Sequence, residues 1–465
     1  MPADPTVPVT LDLGQPQRIH IVGIGGAGMS AIAVVLRAMG HAVSGSDLKD
    51  SPVAARLRAL GISVALGHSA SNVGDVDAVT YSPAVSERNP EILRAAELGA
   101  VVIARSGILA AICATRRCLA VAGTHGKTTT ASMLSLILVE AGLRPSFVIG
   151  ADVNEIGTNA VWDVGEWLVV EADESYGTFQ AIDPDLAVLT NVEADHLDHY
   201  GTFDELRAAF GAFVGAANDG AVVSADDKES ADIGRAYGAT SVGTAAGADY
   251  TMTDVEERRS SVAFTLGGPD GELGRISVGV PGLHNARNAA VAVVAALAAG
   301  APFDAAATAL ARFAGVTRRF EFRGEVAGVT FVDDYAHLPT EVRAALATAK
   351  AGGWNRVIVV FQPHRYSRTA ALAEQFGTAF SDADALVVTD VYSAGEAPVP
   401  GVSGQLVVDA VTESDSRLPV VYAPGGWEEW RQAVGALLAP GDLCLTLGAG
   451  DLTTLPDSLL DAPTW

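Results

Sequence analysis

Short apolar runs alternate with helical segments of ten or so residues along almost the whole chain, and no other feature limits the fold so far. From Arg18 to about Ala111 the runs "RIHIVG", "AVSGSD", "DAVTYS" and "VVIAR" are separated by "MSAIAVVLRAMG", "VAARLRALG" and "NPEILRAAELG". A second series starts near Cys118 with "CLAVAG" and "TASMLSLILVEAG" and closes on the alanine-rich stretch Ala286–Ala299 and "DAAATALARFAG". A third starts around Phe320, where "GVTFVDDYAH", "RVIVVFQPH", "ALVVTDVYSAGE", "LPVVYAPG" and "DLCLTLGAGD" each run from apolar into polar or glycine residues. Strands joined through crossover helices form parallel sheets. The expectation is an α/β protein in three parts, in line with 465 residues at roughly 150 per domain. In such sheets ligands gather beyond the carboxyl ends of the strands, so the polar tails are where chemistry is to be sought.

Composition removes several classes. A formal net charge of −25 argues against a nucleic-acid partner, which needs clustered Lys and Arg. Three cysteines, Cys113, Cys118 and Cys444, lie beside apolar runs and read as buried thiols, not as a disulfide framework. The start "MPADPTVPVT" lacks the basic and apolar parts of a signal peptide, and "NAAVAVVAALAAGAP" is too short to span a bilayer. A cytoplasmic protein without membrane insertion is expected. Lysine occurs only at Lys49, Lys127, Lys228 and Lys350, so any chemistry that needs one has four candidates.

Two glycine loops follow strand-like runs. In "IVGIGGAGMSA", Gly23, Gly25 and Gly28 give G-x-G-x-x-G, with Asp47 roughly 20 residues on. That pattern holds a pyrophosphate at a helix N-terminus, and alone it suggests NAD. In "AVAGTHGKTTT", Gly123-x-x-Gly126-Lys127-Thr128 places backbone amides around phosphate oxygens. Lys127 would neutralise β/γ-phosphate charge and Thr128 would offer its hydroxyl to Mg²⁺. The eight-residue P-loop pattern is not met, because Val121 stands where its first glycine belongs.

Acidic clusters end two further runs. "VVEADES" carries Glu171, Asp173 and Glu174; "NVEADHLDHYG" carries Asp195, His196, Asp198 and His199. Beside a P-loop they suit Mg²⁺, which prefers carboxylate and phosphate oxygens, whereas zinc spacing is lacking; each cluster alone also reads as a solvated turn. "PGLHNARNAA" sets Asn285 and Asn288 three apart at a probable helix start. His364, Arg365 and Arg368 in "FQPHRYSRT" read as a carboxylate or phosphate clamp, or as a surface arginine cluster.

Taken in order, "GIGGAGMS", "GTHGKTTT", "EADES", "NVEADHLDHYG", "PGLHNARN", "RRFE", "DDYAH", "FQPHRYSRT" and "DVYSAGE" resemble the ATP-dependent Mur ligases of peptidoglycan synthesis, from about residue 18 to 451. The resemblance implies an N-terminal Rossmann-like domain for a UDP-sugar (1–112), a central P-loop ATPase-like domain with a mixed or parallel sheet (113–318), and a C-terminal Rossmann-like domain (319–465) that contributes to ATP and amino-acid binding. It further implies amide formation between UDP-N-acetylmuramate and L-alanine through an acyl phosphate, with ATP as cosubstrate, Mg²⁺ (or Mn²⁺) as cofactor and no NAD, in a monomer or homodimer.

Carried over position by position, Gly23, Gly25, Gly26, Gly28, Ser46, Asp47, His68 and Ser82 would hold the UDP-sugar. Gly123, Thr124, His125, Gly126, Lys127, Thr128 and Thr129 would hold ATP with Asn285, Asn288, Arg318, Arg319 and Asp334. Thr128 and Glu171 would ligate one Mg²⁺ and His196 a second, with Lys127, Glu171 and His196 as the catalytic set. Tyr335, His337, His364, Arg365 and Arg368 would surround the amino acid.

One position marks the branch and two depart from the family pattern. Sister ligases that add later residues carry a carbamylated lysine where Phe210 aligns here, which fits the alanine-adding branch. Leu338 replaces a second His after "DDYAH", and Tyr176 stands where Asp is usual. The rival within the family is the ligase that recycles a preformed tripeptide, although "FQPHRYSRT" is characteristic of the alanine-adding branch. A more remote rival, an NAD-dependent oxidoreductase, explains the first glycine loop alone.

Overall fold

In a computed structural model, residues 11–461 are described, apart from the side chains of Tyr176 and Asp198. The segment "MPADPTVPVT" lies outside the described residues. The chain divides into two compact units. The first holds the residues up to Thr253 with Thr265–Ile276 and Arg287–Phe313; the second holds Asp254–Phe264, Ser277–Ala286 and the chain from Ala314.

Two sheets build the first unit. The N-terminal one has five parallel strands in the spatial order Ser63–Leu66, Ala42–Asp47, Arg18–Val22, Ala78–Tyr81 and Val101–Ala104. Chain order therefore reverses between Arg18–Val22 and Ala78–Tyr81, which opens a crevice at their carboxyl ends. The glycine loop leaves the first of these strands and Ser82 leaves the second. The helix Ala27–Ala38 then buries Met29, Ser30, Ala31, Ile32, Ala33, Val35 and Leu36, more than the single apolar stripe of a surface helix. It packs on Ser146–Val153 and Thr158–Val161 of the next sheet, where Asn159 Nδ2 donates to Ala27 O at 3.3 Å.

The central sheet has ten strands, and its middle explains the nucleotide motifs. Arg117–Ala122, which feeds the second glycine loop, lies between the parallel strands Leu186–Leu189 and Trp167–Glu171. Both neighbours end in the acidic motifs, so the sheet register alone brings "EADES" and "NVEADH" to the phosphate loop. The edge pair Ser146–Val153 and Thr158–Val161 is antiparallel, which makes the sheet mixed. Fully buried Phe179, Phe210 and Ile137 are part of this unit's packing.

The second unit is centred on six strands in the order Glu321–Val326, Val329–Asp334, Leu443–Leu447, Val357–Phe361, Ala385–Thr389 and Val420–Ala423. The first pair is antiparallel and the rest are parallel. Cys113, Cys118 and Cys444 are buried and unbridged, as their apolar neighbours suggested. Among the described residues no helix is long and apolar enough to cross a membrane.

Candidate active site

The second glycine loop is built into its sheet. Gly123 sits at φ +132°, and a Cβ there would meet Thr190 Oγ1 at 2.1 Å, so no other residue fits. Asn191 grips the next turn from both sides: its Oδ1 accepts from His125 N at 2.8 Å and its Nδ2 donates to His125 O at 3.0 Å. Thr190 Oγ1 donates to the same carbonyl at 2.6 Å, and Thr124 N donates to Asn191 O at 3.0 Å. His125 Nε2 lies 2.6 Å from Glu193 Oε2. The helix Lys127–Glu140 begins directly after this clamp, with Thr129 buried in its first turn.

Lys127 Nζ donates to Glu174 Oε2 and Gly123 O, each at 2.7 Å, and to Thr124 O at 3.2 Å. Burial disfavours the ammonium, but Glu174, Asp173 and Glu171 outweigh it and hold the Lys127 pKa above its ordinary value. Burial, aided by Asp173 and opposed by Lys127, pushes Glu174 up to about 7. Thr128 Oγ1 donates to Glu171 Oε1 at 2.9 Å, while Glu171 Oε2 accepts from Gly150 N at 2.7 Å.

The expected metal ligands thus fall into two groups, Thr128 with Glu171, and His196 with two residues the sequence reading left out of its metal set. Glu174, Asp195 and His196 each offer a ligand atom within 4.8 Å of the others. Oxygen-rich donors of this kind fit a hard divalent cation such as Mg²⁺. His196 adopts φ +53° and its Nε2 lies 3.1 Å from Ser175 Oγ. Phe210, on the helix Phe203–Gly215 that opens with a Thr202–Glu205 capping box, stacks on Phe179 with ring centres 4.9 Å apart. The Tyr176 side chain lies outside the described ones.

Asn288 reaches the same loop: a Cβ on Gly126 would lie 2.5 Å from its Oδ1. Asn285 instead donates to Pro281 O at 2.7 Å, four residues back on its own chain.

At the first glycine loop, Gly23 N and Ile24 N donate to Ser46 O at 2.9 and 3.0 Å, and Gly25 N donates to Asp47 Oδ2 at 2.9 Å. Asp47 therefore braces the loop backbone. Ser46 is fully buried; its hydroxyl donates to Glu91 Oε2 at 2.5 Å and lies 2.9 Å from His68 Nδ1. Burial alone would raise the Glu91 pKa, but bonds from His20, Ser46, Asn72 and Ser69 hold it down at about 2. Ser82 flanks Gly23, whose Cβ would lie 3.0 Å from Ser82 Cβ, and Gly26 caps the helix without any side-chain bond. Sequence reading missed Glu91 and Asn191, since neither motif says which distant backbone its side chain will hold.

In the second unit, Tyr335, His337, His364, Arg365 and Arg368 converge. The rings of His337 and His364 lie 5.6 Å apart, those of Tyr335 and His337 5.4 Å apart, and Arg368 Nη1 lies 3.2 Å from His364 Nδ1. Burial, with His337, Arg368 and Arg365 close by, lowers the His364 pKa to about 3, so that ring is neutral. Arg365 holds φ +69° at the start of the helix Tyr366–Phe376, and its Nε is buried without a hydrogen bond. A neutral imidazole among guanidinium groups is a setting for a carboxylate. Arg318 donates to Gly448 O at 2.6 Å and Gly450 O at 3.2 Å, and Arg318 and Arg319 both lie 5.0 Å from the Tyr335 ring. Asp334 spends both oxygens on backbone, accepting from Phe320 N and Ala336 N at 2.7 Å each. Leu338, which follows "DDYAH", is buried.

Comparison with known proteins agrees across the chain. Family models match as "Mur ligase family, catalytic domain" over residues 18–117, "Mur ligase middle domain" over 121–296 and "Mur ligase, glutamate ligase domain" over 318–450. A UDP-N-acetylmuramate–L-alanine ligase of Geobacter sp. (strain M21) is 44% identical over 454 residues, covering 96% of this chain and 98% of its own. The enzyme of the same name from Kineococcus radiotolerans is 46% identical over 458 residues, 96% of each chain. Among solved structures, the UDP-N-acetylmuramate-alanine ligase of Thermotoga maritima superposes with a TM-score of 0.81 at 28% identity, covering 96% of this chain and 98% of its own. A murein peptide ligase from Psychrobacter arcticus 273-4 shares the fold, with a TM-score of 0.70 at 24% identity over 96% of this chain and 98% of its own.

Proposed function

Because the chain belongs to the Mur ligase family, we propose that it is an ATP-driven ligase that joins L-alanine to the lactyl carboxylate of UDP-N-acetylmuramate. The observation that carries the chemistry is the pairing of Lys127 with Glu174 beside the Thr128–Glu171 contact, on a loop clamped by Thr190 and Asn191. Phosphoryl transfer asks a protein mainly for positioning and charge neutralisation, and this loop offers both.

In the proposed reaction a lactyl oxygen attacks the γ-phosphorus of ATP, and the bond to ADP breaks. The resulting acyl phosphate is attacked by the amine of L-alanine, and the tetrahedral adduct expels phosphate to leave the amide. Lys127 leaves its loop carbonyls and Glu174 for phosphate oxygens, and its charge is already secured by three carboxylates. Thr128, Glu171 and the Glu174–Asp195–His196 group would hold divalent cation, which when bound would neutralise further phosphate charge. Asn288 joins the nucleotide residues through its contact with Gly126, whereas Asn285, Arg318, Arg319 and Asp334 are assigned on the motif match alone. Arg365 and Arg368 take the alanine carboxylate beside neutral His364. The first glycine loop, Ser82 and the Ser46–Glu91–His68 network take the UDP-sugar. The corresponding domains in this reading span 1–112, 113–318 and 319–465.

The test is ADP release from the full chain, assayed with UDP-N-acetylmuramate and either L-alanine, glycine, L-serine or an L-Ala–D-Glu-containing tripeptide. Release that requires both the UDP-sugar and L-alanine is the expected result. Turnover with the tripeptide and not with L-alanine would overturn the proposal in favour of the recycling ligase.

A further inference from the structure

The three donors of the Lys127 ammonium are spent on the protein itself, two on the loop carbonyls of Gly123 and Thr124 and one on Glu174 Oε2 at 2.7 Å. This ion pair is closed off from water: the Lys127 side chain is 12% exposed and that of Glu174 3%. Glu174 is also fixed from behind, because its carbonyl accepts from Tyr200 Oη at 2.7 Å and from Gly177 N at 3.0 Å. The carboxylate therefore stays in place when the lysine moves. The segment that supplies Tyr200 also brings Asp195 and His196 up to Glu174, and His196 Nε2 lies 3.1 Å from Ser175 Oγ. One buried carboxylate is thus within reach of two cation positions, the ammonium and the Glu174–Asp195–His196 group.

Removing one partner of a buried ion pair is costly, because the partner left behind stays charged and out of water. Lys127 must give up a present partner to bond phosphate oxygens, and the Glu174 bond is the one whose loss strands a charge. A divalent cation among Glu174, Asp195 and His196 would meet that charge. While the ammonium stands 2.7 Å from Glu174, the same cation is opposed by a like charge. We propose that Glu174 is shared in turn: it holds Lys127 while the nucleotide is absent, and passes to a divalent cation when Lys127 goes to the phosphates. Nucleotide and cation then bind as a coupled pair, each raising the affinity for the other. The proposal rests on the reading of this loop as the ATP site, and it makes Glu174 a positioning residue for Lys127.

The test reads binding on the full chain: Mn²⁺ uptake by loss of the free-ion electron paramagnetic resonance signal, and calorimetry with β,γ-imido-ATP. Wild type is compared with Lys127→Met, Glu174→Gln and Glu171→Gln, and with Lys127→Met combined with each glutamate change; thermal melting checks that every variant folds. Without nucleotide, Lys127→Met should take up Mn²⁺ about 10-fold more tightly than wild type, the scale of one charged hydrogen bond. That gain should vanish in the Glu174→Gln background and survive in the Glu171→Gln one. Without divalent cation, Glu174→Gln should bind β,γ-imido-ATP about 10-fold more tightly than wild type, since its lysine is no longer held by a charge. Equal Mn²⁺ affinity in wild type and Lys127→Met would overturn the sharing, as would cation-free nucleotide affinity in Glu174→Gln no better than in wild type. A Lys127→Met gain that persists without the Glu174 charge would be a general charge effect and would equally refute it. Failure of wild type to bind β,γ-imido-ATP even with Mn²⁺ would refute the reading of the loop as the ATP site.

Discussion

Replacing Asn191 with alanine tests whether the phosphate loop is held in shape from outside. The side chain makes two bonds to one residue, accepting from His125 N at 2.8 Å and donating to His125 O at 3.0 Å. The carbonyl keeps a second donor, Thr190 Oγ1 at 2.6 Å, so the loss falls mainly on the amide. An amide left without its partner in a part-buried turn costs about 1–3 kcal/mol, and a carbonyl losing one of two donors costs less. If that energy orders the loop for phosphoryl transfer, kcat/KM for ATP should fall by about 5- to 100-fold, at about 1.4 kcal/mol per factor of ten. KM for the UDP-sugar should not change. The assay is coupled ADP release at saturating UDP-N-acetylmuramate and L-alanine, with thermal melting in parallel. A kcat/KM for ATP within twofold of wild type, on a variant that melts normally, would show that the loop keeps its shape without the clamp.

Three other outcomes are expected. Lys127→Ala should lower kcat by at least ~10²–10³, the scale of one lost transition-state donor, and near-normal turnover would remove Lys127 from the chemistry. Arg365→Ala should raise KM for L-alanine and leave KM for ATP alone; a shift in the ATP value only would dissolve the carboxylate clamp. Burial pushes Asp334 up to about 6 from an ordinary 3.8, so between those values the folded chain holds a proton that the unfolded chain has released. Its contribution to stability therefore declines as pH rises through that window and levels off above about 6. Hydrogen exchange of the strand Val329–Asp334 should follow that slope in wild type, and Asp334→Asn should flatten it.

Much of this was legible in the chain because it is local. Strand, glycine loop and helix follow one another within some fifteen residues at both loops, and chirality and steric rules act at that range. The parallel sheets also follow from alternation alone. What the sequence could not state is which distant backbone a polar side chain would hold. Asp334 reads as an acid at a strand end, and only the structure shows that its two oxygens tie Phe320 to Ala336. Asp47 reads as a UDP-sugar residue, and only the structure shows that it also braces the loop by accepting from Gly25. Glu91 sits mid-motif in "RNPEIL" with nothing nearby to mark it, and its partners His20, Ser46 and Asn72 come from three other segments. Only the sheet order brings them together.

The stacked rings of Phe179 and Phe210 bear on a matter outside the protein. A lysine at position 210 would become a carboxylate only by capturing dissolved carbon dioxide, and its occupancy would follow the gas content and bicarbonate of the medium. An aromatic pair takes nothing from solution and is complete once the chain has folded. With Phe210 at that position, this chain should turn over at the same rate in degassed and in bicarbonate-rich buffer.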